Sequence, residues 1–377
     1  MIYFDNSSTT QPYKEVVDLV AKVMLEDFGN SSSLHNLGIR AERILEEARE
    51  RIAETIKAKP DEIVFTSGGT ESINTAIRGS AEAMKRSGKH VLSTPVEHSA
   101  CLESLKELER AGFEIEYVGV DGFGKLLFED LKNKLRKDTI LVSIMAVNNE
   151  LGTIEPIHEA ARIIKANNKN TVFHVDAVQG YGKMPINSRD LDADLISCSA
   201  HKIHGPKGVG MLYIRKGTRI RPLILGGDHE RKLRSGTVNV PGIAGFGLAA
   251  SMTISKMKEH QDNCRKIKNY LIKGLTEALG SRIRINSPPD GVENILNVSF
   301  KGIKSETMLH FLEMRDIYVS SGSACHSRRD SISHVLKAAG IPASWAEGAI
   351  RLSFGAFNTI EEAGTVVGAI KDIMEKI

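Results

Sequence analysis

Between residues 63 and 214, short apolar runs recur with helical patterns between them, and this alternation limits the possible folds more than any other feature of the chain. The strand candidates are 63–66, 90–93, 114–118, 140–145, 171–175, 194–197 and 209–214. Amphipathic helical spacing lies between runs at 71–85 and 157–165, and ahead of them at 13–26 and 39–56. Short runs that are apolar almost throughout predict strands buried on both faces. Strands separated by helices predict a mostly parallel sheet with helices on both sides, in which ligands gather at the carboxyl ends of the strands. A long, largely helical segment at 240–279 then leads to further strands at 282–285, 295–300 and 350–354, interleaved with helices at 306–314, 333–339 and 360–375. This predicts a second, smaller α/β unit, for which 377 residues suffice.

Charge and cysteine usage remove several function classes. A net charge of +3 is spread along the chain without a basic tail, so nucleic acid is not the expected partner. No apolar run approaches the ~20 residues of a membrane span, and the opening Met1-Ile2-Tyr3-Phe4-Asp5-Asn6 has no secretory pattern, so a cytoplasmic location is expected. Cys101, Cys198, Cys264 and Cys325 are far apart with no Cys-x-x-Cys pair, which argues against a disulfide framework or structural zinc. His201 and His204 lack a third ligand at suitable spacing, so no metal is expected.

The chemistry concentrates at the ends of the apolar runs. In Ser199-Ala200-His201-Lys202-Ile203-His204-Gly205, Lys202 falls in a turn between two strands. Against apolar walls or beside another cation its ammonium loses hydration, and the neutral amine can then form a Schiff base with an aldehyde cofactor; a lone turn lysine is more commonly just solvated. The preceding run 173–175 ends in Asp176, a carboxylate of the kind a pyridinium nitrogen requires. Strand-Asp followed by strand-turn-Lys reads as a pyridoxal phosphate site.

Other segments suit the same site. Ser67-Gly68-Gly69-Thr70-Glu71 joins a strand to a helix, and its glycines, free N–H groups and the Thr70 hydroxyl make a phosphate cradle; Thr followed by Glu is also a common helix N-cap. His98 sits on a loop over the sheet edge, where an imidazole can stack on a planar cofactor and shuttle protons. The amides of Asn148-Asn149 can serve a ligand or simply build a turn. Arg351 has the fork for a substrate carboxylate, although a solvent-facing edge-strand arginine has the same local sequence. In 320–331 small residues frame Cys325, with His326, Arg328 and Arg329 near enough to favour its thiolate.

Together these stretches resemble the cysteine desulfurases of the NifS/IscS type, class V aminotransferase relatives with the aspartate-aminotransferase fold (PLP fold type I). The resemblance runs in order through Tyr3-Phe4-Asp5-Asn6-Ser7, Gly29-Asn30-Ser31-Ser32-Ser33-Leu34-His35, Thr66 to Ser72, Glu97-His98, Val147-Asn148-Asn149-Glu150-Leu151-Gly152, His174-Val175-Asp176-Ala177, Ser199-Ala200-His201-Lys202, Arg234-Ser235-Gly236-Thr237 and Ser321-Gly322-Ser323-Ala324-Cys325. The long cysteine segment is similar to the group I form. The resemblance implies a large domain over 13–257 built on a mostly parallel seven-stranded sheet, and a small domain from 1–12 and 258–377 that carries the cysteine loop at about 320–332.

It also implies roles. Lys202 would form the Schiff base, Asp176 would pair with the pyridinium, Gln179 would face the phenolic oxygen, and His98 would stack on the ring and act as acid and base. Gly69, Thr70, Ser199 and His201 would hold the phosphate, with Thr237 supplied by the second subunit of a homodimer. Asn149 and Arg351 would take the carboxylate of L-cysteine, and Cys325 would be the nucleophile that carries sulfur as a persulfide to an acceptor, such as an iron-sulfur scaffold or a tRNA-thiolation enzyme. The chain departs from the family pattern at Ser31, Asp228, His326 and Ala356. Alternatives are a cysteine or selenocysteine lyase of the same family, distinguished by product and substrate, and a non-catalytic scaffold, which would lack Lys202, Asp176 or Cys325.

Overall fold

The structure, a computed structural model, describes residues 1–321 and 332–376. Its elements in chain order are β1 (Ile2–Tyr3), α1 (Lys14–Glu26), α2 (Asn36–Thr55), β2 (Ile63–Thr66), α3 (Gly69–Met84), β3 (His90–Ser93), α4 (Ser99–Arg110), β4 (Glu114–Tyr117), α5 (Phe128–Lys134), β5 (Thr139–Met145), α6 (Ile157–Asn167), β6 (Val172–Asp176), β7 (Leu195–Ser199) and β8 (Gly210–Ile214). There follow α7 (Val240–Ser255), α8 (Met257–Leu279), β9 (Ile283–Ile285), β10 (Ile295–Phe300), α9 (Ser305–Glu313), β11 (Ile317–Tyr318), α10 (His334–Ala338), α11 (Ala343–Ala346), β12 (Ala349–Ser353) and α12 (Ile360–Glu375).

The seven runs form one seven-stranded sheet in the order β2-β8-β7-β6-β5-β3-β4. All strands run the same way except β8, which is antiparallel to both β2 and β7. Residues 200–209 are too few for a crossover helix, so the chain turns straight back from β7 into β8. Helices cover both faces. Ile52, Phe173, Val175, Ile196 and Phe246 meet in one apolar layer, and Ile73, Ala76, Leu105, Leu141 and Leu212 in the other.

The predicted helical link at 240–279 divides at Lys256 into α7 and α8. α7 packs on α1 and α2, whereas α8 packs on α12. The antiparallel β12-β10-β9 sheet has its own core, including Phe4, Leu271, Leu296, Ile350 and Ile370. The N-terminal strand β1 joins this part by pairing with β11, and the Ser353 N–H donates to the Phe4 carbonyl at 2.7 Å.

Candidate active site

Parallel strands β5, β6 and β7 end side by side, with Met145 opposite Asp176 and Asp176 opposite Ser197. Over these ends lies a cavity of about 240 Å³ lined by Gly69, Thr70, His98, Asn149, Asp176, Gln179, Ser199, His201 and Lys202. The structure therefore brings nine of the sequence-predicted residues to one wall. Ile73, Met145, Val147 and Val178 supply apolar surface between them.

The cradle at the start of α3 depends on two glycines. Gly68 is the N-cap at φ 154°, a conformation that side-chain-bearing residues rarely adopt. A Cβ on Gly69 would lie 2.8 Å from Val178 Cγ2. Thr70 is not the cap but belongs to the first turn of α3. Glu71 Oε2 accepts the Ser67 N–H at 2.9 Å and Arg234 Nε donates to Glu71 Oε1 at 3.0 Å. Burial alone would raise the Glu71 carboxyl, and these bonds outweigh it and hold it below its ordinary value.

Lys202 closes the short 3-10 turn Ala200–Lys202 directly after β7. Its Nζ donates to the carbonyls of Ser7 at 2.5 Å and Ser8 at 2.9 Å, so the N-terminal segment holds the amine at the cavity. A further cation, Lys183, feels the charge of Lys202, and its Nζ donates to Gln179 Oε1 at 2.7 Å. Burial, then the charges of Lys202 and Arg351, push Lys183 down to about 7. Gln179 Nε2 donates to the Ser7 carbonyl at 2.9 Å, so both ends of this amide are held by protein.

Asp176 ends β6, and its Oδ1 accepts the Val178 N–H at 2.9 Å. Burial raises its carboxyl to about 6 against the lowering influence of that bond and of Lys202. On the same strand His174 bonds Ser143 Oγ at 2.8 Å and Ser197 Oγ at 2.9 Å, a cross-brace between β5, β6 and β7. Burial pushes His174 down to about 3, so it is a neutral strut. His98, expected on a loop, is the N-cap of α4, a helix that the sequence reading did not place. Its Nδ1 accepts the Ala100 N–H at 3.1 Å, which leaves the proton of the neutral ring on Nε2. His201 is held neutral by burial and by the nearby Lys202, Lys207 and Lys183, which push it down to about 4.

The Asn148-Asn149 pair divides its labour. Asn148 Oδ1 accepts the N–H groups of Glu150 and Leu151 at 2.9 and 2.8 Å and its Nδ2 donates to Val96 O at 3.0 Å, so Asn148 builds the turn and Asn149 is left to line the cavity. Arg351 is buried rather than solvent-facing, because Asp5 and Ser320 bridge to the outer side of β12. Its guanidinium contacts the Asn149 carbonyl, Asp5 and Ser8, and its Nε has no partner among the described residues. Thr237 is exposed and does not line this cavity. Cys325 lies outside the described residues.

Sequence reasoning assigned no role to Asp5 and Ser7, although it quoted their segment, nor to Ser8, Glu97, Glu150 and Lys183. Glu97 is fully buried, with Oε1 accepting from Thr94 Oγ1 at 2.7 Å and from the Met145 N–H at 3.1 Å, and burial raises its carboxyl well above the ordinary range. Glu150 accepts from Ser333 Oγ at 2.5 Å, and burial pushes it up to about 7. Both acids lie within quoted motifs, Glu97-His98 and Val147-Asn148-Asn149-Glu150-Leu151-Gly152, the one available signal.

Pyridoxal phosphate fits these residues on three counts. Ser199 Oγ is buried at the cradle with no partner among the described residues, as a phosphate-binding hydroxyl would be. The start of the 16-residue α3 offers N–H groups to an anion. An amine and a buried carboxylate share the cavity wall, as an aldehyde and a ring nitrogen require.

Comparison with known proteins agrees with this arrangement. The family described as Aminotransferase class-V matches residues 2–366. "Cysteine desulfurase IscS" of Dictyoglomus turgidum is 45% identical over 377 residues, covering 100% of this chain and 95% of that protein. The protein of the same name from Methanosarcina thermophila is 43% identical, covering 100% and 92%. Among solved structures, a "NIFS-LIKE PROTEIN" superposes with a TM-score of 0.94 at 42% identity over 100% of both chains. Fold, site and kinship together show that the chain belongs to the class-V aminotransferase family.

Proposed function

We infer that this chain is a pyridoxal-phosphate-dependent cysteine desulfurase, which converts L-cysteine to L-alanine and passes the sulfur to an acceptor. The observation that carries the reading is the single cavity shared by the Gly69-Thr70 cradle, Asp176 and Lys202. When bound, pyridoxal phosphate supplies an electron sink for negative charge on the substrate's α-carbon.

The chain's own residues bind and orient. The N–H groups at the start of α3, Thr70, Ser199 and His201 hold the phosphate. Asp176 would give a fixed negative charge for the ring nitrogen, Gln179 would serve the ring oxygen, and Lys202 would supply the amine for the aldehyde. His98 would pack on the ring and carry a proton on Nε2, while Arg351 and Asn149 would take the substrate carboxylate. The Cys325 thiolate attacks the substrate sulfur, which leaves as a persulfide on Cys325. The electron pair of the broken carbon-sulfur bond stays with carbon, and protonation there gives alanine.

The active form is a homodimer, a reading supported by Thr237, which is exposed and away from its own chain's cavity. Acceptors are an iron-sulfur scaffold or a tRNA-thiolation enzyme. The large domain is 13–257, with 1–12 and 258–377 as the small one, in keeping with the break at Lys256 and the pairing of β1 with β11. Among the described residues no helix is long and apolar enough to cross a membrane, and the proposed location is cytoplasmic.

The test is release of alanine and sulfide from L-cysteine in the presence of a thiol reductant. Equimolar products from wild type that vanish in Cys325→Ala are expected. An equally active mutant would mean lyase chemistry without the cysteine and would overturn the assignment.

A further inference from the structure

Between β8 and α7 lies a segment whose backbone is held in a disfavoured state. Glu230, Arg231 and Lys232 have φ of 44, 55 and 67°, three successive non-glycine residues in the left-handed region. A Cβ makes that region unfavourable, so such a run persists only where side chains over-determine it.

Here they do. The Glu230 side chain is 4% exposed and pairs twice with the equally buried Arg49, Nη2 to Oε1 at 2.7 Å and Nη1 to Oε2 at 3.0 Å. The same Oε2 accepts the Phe65 N–H at 2.8 Å, and Arg49 Nη1 donates onward to the Ile63 carbonyl at 2.8 Å. Arg49 also lies over the Phe65 ring, 4.8 Å from its centroid. Arg231 Nη2 donates to the Pro60 carbonyl at 3.2 Å. Further along the same segment, Arg234 grips Glu71, which in turn holds the Ser67 N–H. The strained segment thus takes hold of the strand leading into the phosphate cradle and of the first helical turn leaving it.

We propose that Glu230 and Arg234 are positioning residues for the cofactor phosphate, bracing the cradle 67–71 from outside so that its N–H groups keep the spacing the anion needs. Neither side chain lines the cavity; Glu230 holds the Phe65 N–H at the end of β2 and Arg234 holds the Ser67 N–H through Glu71, just ahead of the lining residues Gly69 and Thr70. Charge-assisted pairs in a half-dry setting hold that spacing more firmly than neutral bonds. The proposal rests on the reading of 67–71 as the phosphate cradle.

The test is titration of the apoenzyme with pyridoxal phosphate, followed by cofactor absorbance and protein fluorescence, alongside kcat at saturating cofactor. Glu230→Gln and Arg234→Gln are each expected to weaken cofactor binding by on the order of tenfold, while kcat at saturation stays within about twofold, the split expected of lost positioning. Adding Lys232→Gly to Glu230→Gln is expected to recover part of the affinity, because glycine adopts this backbone freely. Arg234 is partly exposed, so its variant serves should Glu230→Gln fail to fold. Unchanged affinity in a folded Glu230→Gln or Arg234→Gln, beside weakened binding in Thr70→Ala, overturns the brace alone. Unchanged affinity in Thr70→Ala and Ser199→Ala overturns the cradle reading and the brace with it.

Discussion

Arg351 Nη2 lies 2.8 Å from Asp5 Oδ1 and 2.8 Å from Ser8 Oγ, while Nη1 lies 2.9 Å from the Asn149 carbonyl. The guanidinium is therefore already partly neutralised, and a substrate carboxylate must compete with Asp5 or use Nε, which has no partner among the described residues. A charge-assisted bidentate pair contributes about 2–3 kcal/mol, so Arg351→Ala should raise KM for L-cysteine on the order of 10²-fold. Cofactor affinity should stay near wild type. Asp5→Asn should lower KM by a factor of a few, because it removes the competing charge. Steady-state kinetics decides both, and an unchanged KM in Arg351→Ala would remove this residue from substrate binding.

Asp176 illustrates a site group that works against the stability of the empty protein. Burial raises its carboxyl from 3.8 to about 6, so the native state holds this proton more tightly than the unfolded chain does. Its contribution to stability is present below about pH 4 and is lost as pH rises through 6. At neutral pH the ionised carboxylate costs roughly 3 kcal/mol at most. Apo Asp176→Asn should melt above apo wild type at pH 7.5, with the difference closing towards pH 4. With pyridoxal phosphate the order should reverse, and turnover should fall on the order of 10²-fold for want of a charged partner. Melting curves with and without cofactor check the sign, and a less stable apo mutant at neutral pH would contradict it.

Much of the sheet was legible because six of its seven strands, all but the half-exposed β4, are buried on both faces and so appear as mostly apolar runs. Strand direction was less so: nothing in the pattern of 209–214 marks β8 as antiparallel, although the brevity of 200–209 carries that information. Helix α4 was missed because its cap is His98 rather than Ser, Thr, Asp or Asn, so the usual start signal is absent. The cavity residues were legible as strand-end motifs. Their supports were not, since Arg49 and Glu230 meet across 181 residues, and Lys183 meets Gln179 only through the turn between them. Arg351 was ambiguous for a related reason: β12 is an edge strand, and the N-terminal segment that covers it comes from the far end of the chain.

Lys183 should give the opposite pH trend. Its amine is pushed down from 10.5 to about 7, first by burial and then by Lys202 and Arg351, so the unfolded chain binds this proton more tightly. Stability from this group therefore rises with pH across the window from about 7 to 10.5. The apoenzyme's melting temperature should fall less between pH 7 and 9 in wild type than in Lys183→Met. Removing the 2.7 Å bond to Gln179 should also weaken cofactor binding by a few fold. Identical pH trends in the two proteins would show that Lys183 keeps an ordinary pKa.

Gly210 gives a test of how closely fold and site depend on each other. In register it faces Ser199 on one side and Thr66 on the other, between β7 and β2. A Cβ there would lie 2.7 Å from both Gly68 Cα and the Cys198 carbonyl oxygen. These obstacles are backbone, so no rotamer change relieves them. Gly210→Ala should cost about 1–3 kcal/mol through overpacking. The displaced atom belongs to the N-cap of α3, so cofactor affinity should fall together with melting temperature. Gly368→Ala is the counterpart: its Cβ meets nothing within 4 Å in the interior of α12. That change should stabilise the protein by about 0.5–1 kcal/mol, because glycine loses more conformational freedom on folding. It should leave cofactor binding as it was. If Gly210→Ala folds and binds pyridoxal phosphate as tightly as Gly368→Ala does, the close approach of β8 to Gly68 is not what sets the shape of the cradle.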